Sequence, residues 1–246
     1  MSPDVSAEPG SHLAGESLSN LYQDRHAQES PQFRAEIWEV LCDLVFQRYV
    51  KPEDTVLDLG AGWCEFINAI RCRNKIAIDL NPDLPKHARD AKTMIAPAND
   101  LSPIARSTVD VVFSSNLLEH MPNKMTVLQV LRECNRVLRP GGTLIVVMPN
   151  VRYLPGRYWD YFDHITPLSH VSLAEGMRLA GFDIVRVVPR FVPYSVKSRL
   201  IPKSTLVLRI YLRLPFLWAI FGRQMIVIGR RRGPAERGPG EQPKQE

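Results

Sequence analysis

Apolar positions along this chain change period several times. Short apolar runs near residues 55–59, 75–79, 93–96, 109–114 and 143–148 read as buried strands. Between Gln32 and Tyr49, Phe33, Ile37, Val40, Leu41, Leu44 and Val45 fall close to helical spacing and predict a helix ahead of the first strand. Lys124 to Leu138 predicts a second helix, with Met125, Leu128, Leu131 and Val137 on one side. Ser172 to Leu179 predicts another, stopped at Ala180-Gly181. Phe182–Val188 and Gln224–Gly229 read as two final strands. Alternation of this kind predicts an α/β fold with a parallel sheet covered on both faces.

The connection between the last two strands is far longer than the roughly 2–5 residues of a hairpin loop. Residues 205–221 within it are almost wholly apolar. Arg209 and Arg213 are four apart and share a helical face, and Pro215 suits the first turn of a new helix. No charge-free run reaches the ~18 residues that a membrane span needs. Two readings stand for this insertion, residues 190–222. Its helices lie on an anionic membrane surface, with basic side chains at the head groups and Tyr211 and Trp218 at the boundary. Alternatively, they pack on the domain or form a dimer contact.

At 246 residues with 45% hydrophobic content, the chain can bury one good core with a small appendage. Residues 1–18 and 233–246 have the composition of disordered termini, leaving 19–232 as the domain. The net charge of +5 hides a split. No Asp or Glu occurs from Ile184 to Ala235, whereas 11 Lys or Arg do. Cys42, Cys64, Cys72 and Cys134 have no C-x-x-C spacing, and no histidine cluster accompanies them. Neither a disulfide framework nor a metal site is expected, and a reducing cytoplasm is the simpler setting. The N-terminus lacks the basic and apolar regions of a secretory signal.

Candidate chemistry begins at Val56-Leu57-Asp58-Leu59-Gly60-Ala61-Gly62-Trp63-Cys64-Glu65-Phe66. Gly60 and Gly62 permit a sharp turn and bring bare backbone near a ligand, and the helix that follows offers its N-terminal amides. Asp79 closes the next strand, where an acid can accept hydrogen bonds from both ribose hydroxyls. A dinucleotide site wants a third glycine where Glu65 stands, and a P-loop needs a Gly-Lys-Ser/Thr ending that does not occur. Asp58 suits a ligand carrying a cationic amino group. S-adenosylmethionine (SAM), with its amino acid end, sulfonium and ribose, fits best.

With these residues in place, the chain resembles the class I SAM-dependent methyltransferases. Further segments agree in order over roughly residues 50–190: Asn99-Asp100 after the third strand, Val109 to His120 around the fourth, and Leu138 to Val147 with its Pro-Gly-Gly turn. The resemblance implies a Rossmann-like, doubly wound, seven-stranded sheet whose last two strands form an antiparallel pair, here interrupted by the long helical insertion. It implies SAM contacts from Asp58, Gly60, Ala61, Gly62, Asp79, Leu80, Asn99, Asp100 and Asn116, and a lid role for the first helix. Many relatives have glycine where this chain has Cys64, so positive φ is less accessible and the loop is expected to shift slightly. The aromatic-Asp-His-Pro-Leu-Ser run, Phe191-Val192-Pro193-Tyr194 and Phe221-Gly222-Arg223-Gln224 also resemble a bacterial branch associated with surface-polysaccharide or glycolipid assembly.

A sulfonium makes its methyl group electrophilic, so the protein mainly aligns an acceptor, and a hydroxyl acceptor benefits from a base. His120 after the fourth strand, and His164 and His170 after the fifth, are placed for that role. Asp163 next to His164 favours His164 as the base over His120, which follows Glu119. Tyr158 to Ser169 combines aromatics with acids, which suits a sugar or flat ring; Trp159 and Phe162 read equally as core. The leading expectation is transfer to a hydroxyl of a saccharide or lipid-linked small molecule. A quinone-like lipid precursor as acceptor and a non-catalytic scaffold are the alternatives. Nucleic acid is disfavoured, because the basic residues are interleaved with Leu, Ile and Val and no Asn/Asp-Pro-Pro-Tyr/Phe motif occurs.

Overall fold

The computed structural model describes residues 30–154, 156–193 and 204–233. The termini expected to be disordered lie outside these, except Gly233, as do His12, His26, Tyr194, Lys197, Arg199 and Lys203.

Seven strands form one sheet: β1 (Thr55–Leu59), β2 (Asn74–Asp79), β3 (Lys92–Ile95), β4 (Val109–Ser115), β5 (Leu138–Pro149), β6 (Phe182–Val188) and β7 (Gln224–Arg231). Their spatial order is β3-β2-β1-β4-β5-β7-β6. The first five are mutually parallel, and β7 runs antiparallel between β5 and β6. The order reverses between β1 and β4. In open α/β sheets a ligand crevice forms outside the carboxyl ends of the strands at such a reversal.

The central strands β1, β4, β7 and the second half of β5 are buried on both sides, which explains their continuous apolar runs, whereas the edge strands β3 and β6 are largely exposed. One face (Leu57, Leu59, Val112, Leu144, Val146) packs on the long helix α4 (Lys124–Val137) and on α5 (His170–Leu179). The other (Val56, Ala77, Val111, Phe113, Ile145, Ile226) packs on α1 (Pro31–Leu41) and the short α2 (Glu65–Ala69) and α3 (Leu84–His87). At that second face Phe66 and Phe113 stack with centroids 3.6 Å apart, and Phe46 and Trp38 pack edge-on around Phe113.

Three local features refine the expected elements. The first helix does not continue regularly to Tyr49: after Leu41 it widens into a π turn over Cys42–Phe46 and then tightens over Gln47–Tyr49. Cys42, Val45 and Phe46 all face the core through this wide turn. The Pro-Gly-Gly turn is built into β5 as a bulge. Leu138 pairs with Val109 and Thr143 with Val111, so Arg139 to Gly142 bow out opposite Asp110. A Cβ on Gly142 would lie 3.0 Å from the Asp110 carbonyl, so only glycine fits that bow. Finally, α5 begins two residues earlier than its apolar pattern suggests, because Ser169 caps it with a reciprocal Ser172 bond.

The insertion forms two helices, α6 (Thr205–Arg213) and α7 (Pro215–Phe221). Tyr211, Leu212 and Trp218 anchor it in the second core. The Tyr211 hydroxyl donates to the Phe191 carbonyl (2.6 Å), and Trp218 Nε1 donates to the Tyr211 carbonyl (3.0 Å). Tyr211 and Trp218 are therefore buried anchors and not the boundary residues the sequence suggested. Burial pushes the Tyr211 hydroxyl up to about 12, with Arg190 and Arg223 opposing. Strand direction places both ends of the insertion at the carboxyl edge of the sheet, since it leaves the end of β6 and enters the start of antiparallel β7. Among the described residues no helix is long and apolar enough to cross a membrane.

Candidate active site

The glycine turn hangs from the end of β2: the Gly60 and Ala61 amides donate to the Ile78 carbonyl at 2.8 and 3.0 Å. Gly60 (φ 77°) and Gly62 (φ 51°) both occupy the left-handed region. A side chain on Gly60 would strike Leu117 at 3.0 Å, whereas one on Gly62 would meet no atom within 4 Å. Gly60 is thus closed from behind, and Gly62 faces open space. Cys64 adopts φ 62°, so this non-glycine residue takes the left-handed conformation directly. It is fully buried, and burial followed by the charge of Asp58 pushes its thiol up to about 12. All four cysteines are free thiols.

Asp79 lies at the crevice edge. Its carboxylate accepts hydrogen bonds from the Gly62 and Asn81 amides, both at 2.8 Å, which fixes its direction and leaves further lone pairs. Leu80 beside it is an exposed apolar side chain at the carboxyl end of β2. Asn116, at φ 51°, is exposed at the end of β4, and its amide donates to the Val147 carbonyl. Asn99 is half-buried and Asp100 exposed in the loop after β3. The Ser102 amide and side chain hold the Asp100 carboxyl below its ordinary range. Asp58 is only 3% exposed. Burial, then the charges of Asp79 and Glu65, push its carboxyl well above the usual range, with a backbone hydrogen bond from Ile67 opposing.

Glu65 is not a bare anion. Arg34 on α1 reaches its carboxylate at 2.9 Å with both side chains largely buried, and the guanidinium lies 5.4 Å from the centre of the Trp63 ring. The first helix is thereby tied to the turn. Helix α2 is a single short turn-and-a-half, so its N-terminal amides contribute less field than the sequence pattern implied.

Residues that would hold SAM fit it on two observations: open space over Gly62, and a fixed carboxylate at Asp79 beside an exposed apolar Leu80.

A second cluster forms where the loop after β4 meets the segment after β5. The Glu119 carbonyl accepts from the Ile165 and Thr166 amides (2.9 and 3.0 Å), Thr166 Oγ1 donates to the Met121 carbonyl (2.6 Å), and the Tyr158 hydroxyl donates to the Thr166 carbonyl (2.6 Å). These bonds join residues that sequence reading treats as two separate places. Nδ1 of His120 lies 2.9 Å from the Asp163 carbonyl and 3.2 Å from its carboxylate. Both are acceptors, so Nδ1 carries the proton and Nε2 of the neutral ring is the basic nitrogen. Burial by itself lowers the His120 pKa, but the Asp163 hydrogen bond and the charges of Glu119 and Asp163 together raise it above its ordinary value.

Sequence adjacency suggests Asp163 as a partner for His164; its carboxylate lies against Nδ1 of His120, 43 residues earlier in the chain. His164 is buried with its ring centre 5.1 Å from that of His120, between Tyr158 and Tyr161. His170 belongs elsewhere. It bonds Asn150 (3.0 Å) and stacks on Tyr153, and burial followed by Arg152 lowers its pKa. Trp159 and Phe162 are 55% and 94% exposed, so neither is core.

Glu119, His120 and His164 place ligand atoms within 4.8 Å of one another, close enough to share a cation. No spacing rule could have signalled this set, because His164 arrives from another loop.

Parallel strands with one antiparallel insertion, a glycine turn and an acid at the end of the second strand define a class I methyltransferase architecture. A methyltransferase domain family model matches residues 57–146. The ubiquinone biosynthesis O-methyltransferase of Xanthomonas campestris is 30% identical over 210 residues, covering 74% of this chain and 84% of that protein. A Mycolicibacterium smegmatis protein named "probable S-adenosylmethionine-dependent methyltransferase" is 29% identical over 163 residues, 64% of this chain; the match spans 62% of that relative's length. In fold, the chain is similar to a SAM-dependent methyltransferase from Archaeoglobus fulgidus (TM-score 0.62, 18% identity, 87% of this chain and 99% of that one). The chain belongs to the class I SAM-dependent methyltransferase family, and SAM is the cofactor that family and fold imply.

Proposed function

We propose that this protein transfers a methyl group to an oxygen of a saccharide or lipid-linked small molecule, with His120 as the base. The observation that carries the reading is the Nδ1 contact of His120 with Asp163, which leaves Nε2 able to accept a proton. SAM, when bound, supplies an electrophilic methyl carbon whose bond to sulfur breaks with its electron pair staying on sulfur. Asp79 would bind the ribose and Gly62 would let the ligand lie against backbone. Asp58, beneath the turn, would ionise fully on meeting the cationic amino group. The acceptor hydroxyl would lose its proton to Nε2 of His120 as its oxygen takes the methyl group. Glu119 and Asp163 stabilise the resulting imidazolium, and His164 shapes the wall beside it. Exposed Trp159 and Phe162 offer ring faces to an acceptor.

A quinone-like lipid precursor is the second acceptor reading, favoured by the resemblance to the Xanthomonas enzyme of ubiquinone biosynthesis. The test is transfer of labelled methyl from SAM into bacterial lipid, glycan and nucleic-acid fractions. Label in glycan or glycolipid supports the first reading and label in an isoprenoid quinone fraction the second. Label confined to nucleic acid contradicts both.

A further inference from the structure

Helices α6 and α7 bury one face and present another. Leu206, Ile210 and Leu214 recur at helical spacing on the outer side of α6 and its junction, and Phe216, Ile220 and Phe221 continue that surface along α7. Leu206 and Phe216 are each more than 60% exposed. Six large apolar side chains exposed within 16 residues of chain are more than scattered surface hydrophobics. We propose that this face is a docking surface for an anionic lipid bilayer.

Charge selects that occupant. The chain has no acidic residue from Ile184 to Ala235. Two of the basic residues there are held at the insertion: Arg190 donates to the Ile220 and Gly222 carbonyls at the end of α7, and Arg209 pairs with Asp43 at 3.7 Å. Arg213 is exposed at the end of α6. A second copy meeting this face would bring like charges together, which disfavours a symmetric dimer. An anionic head-group layer gains from the same charges, while Phe216 and Ile220 enter the acyl boundary. The helices, of nine and seven residues, are far too short to span and fit an in-plane orientation. Their anchor is firm. Gly222 has no room for a side chain, with the Trp218 carbonyl 2.6 Å from where a Cβ would lie. Tyr211 and Trp218 then hold the helix pair to the core from inside.

Both ends of the insertion lie at the carboxyl edge of the sheet, the edge that also carries the candidate site. Docking is read without turnover and is therefore independent of the acceptor's identity.

The experiment is flotation of the full chain with phosphatidylcholine vesicles, with and without about one-third phosphatidylglycerol, in low and high salt. The expected result is flotation with phosphatidylglycerol vesicles, weakened by salt. The doubly substituted Phe216→Ser/Ile220→Ser protein should lose about tenfold or more in partitioning, and Arg213→Gln should lose several-fold at low salt only. Circular dichroism and SAM binding of the variants confirm that the fold is retained. Absence of flotation, equal binding to neutral vesicles, or undiminished flotation of the Phe216/Ile220 variant would overturn the proposal. So would a lipid-free dimer that the same variant dissolves, because the face would then belong to a second copy.

Discussion

Two glycines of one turn carry different constraints. Gly60 has positive φ and Leu117 packed against it, so Gly60→Ala meets both a backbone penalty of roughly 1–2 kcal/mol and a steric clash. Its melting temperature should fall by several degrees, and a second Leu117→Ala change should restore only the steric part. Gly62 has the same backbone sign and open space above it. Gly62→Ala should therefore cost little more than the backbone penalty in stability yet weaken SAM binding more than tenfold, as calorimetry would read. Equal losses at the two positions would contradict a ligand lying over Gly62. His120 gives a pH prediction. Its pKa is raised in the fold, so its stabilising contribution is complete below about 6.5, the unfolded value, and fades as pH rises through the folded value. Catalysis needs the neutral ring and has the opposite sign: kcat/KM should rise with pH along a limb above 6.5. Replacing Asp163 with Asn removes the carboxylate's share of the raising causes while the Glu119 charge and the Asp163 carbonyl remain, so that limb should move to lower pH. A limb unchanged in Asp163→Asn would separate the pair from the chemistry. Dialysis against EDTA should leave turnover intact; a loss reversed by a divalent cation would reassign Glu119, His120 and His164 as a metal site.

At the scale of elements, the first helix and the glycine turn act together through Arg34 and Glu65. Arg34→Ala leaves a largely buried carboxylate without its guanidinium, so amides of Pro31–Leu41 should exchange faster and SAM affinity should fall several-fold. Unchanged exchange would mean that the hydrophobic face of the helix suffices. Elements of this kind were largely legible from periodicity: all seven strands lie near where apolar runs placed them, most clearly the central ones, because strands buried on both faces need uninterrupted apolar residues. The turn was legible too, since positive φ restricts residue choice, although Cys64 shows that burial can hold a side chain in that conformation. What escaped was pairing across the chain. Asp163 next to His164 in sequence says nothing of His120, which arrives on the loop after β4. Likewise Tyr211 and Trp218 have the composition of interface residues, and only tertiary packing turned them inward.

For the whole molecule, the sheet order brings the ends of β1, β2, β4 and β5 to one edge, and the insertion opens at that same edge. The basic C-terminal part is stitched back into the domain: Arg231 reaches Ser107 Oγ (2.8 Å) and the Leu138 carbonyl, and Arg232 pairs with Asp183 (2.8 Å). Positive charge is thus both a structural tie and a surface field, which is why composition alone could not say which. SAM occupying the crevice between Gly62 and Asp79 is the central proposal. Isothermal titration of SAM into the wild-type protein and a folded Asp79→Ala variant tests this most directly. Saturable binding by the wild type that is lost in the variant is the predicted result. Silence from the wild type, or equal affinity in the two proteins, would contradict it.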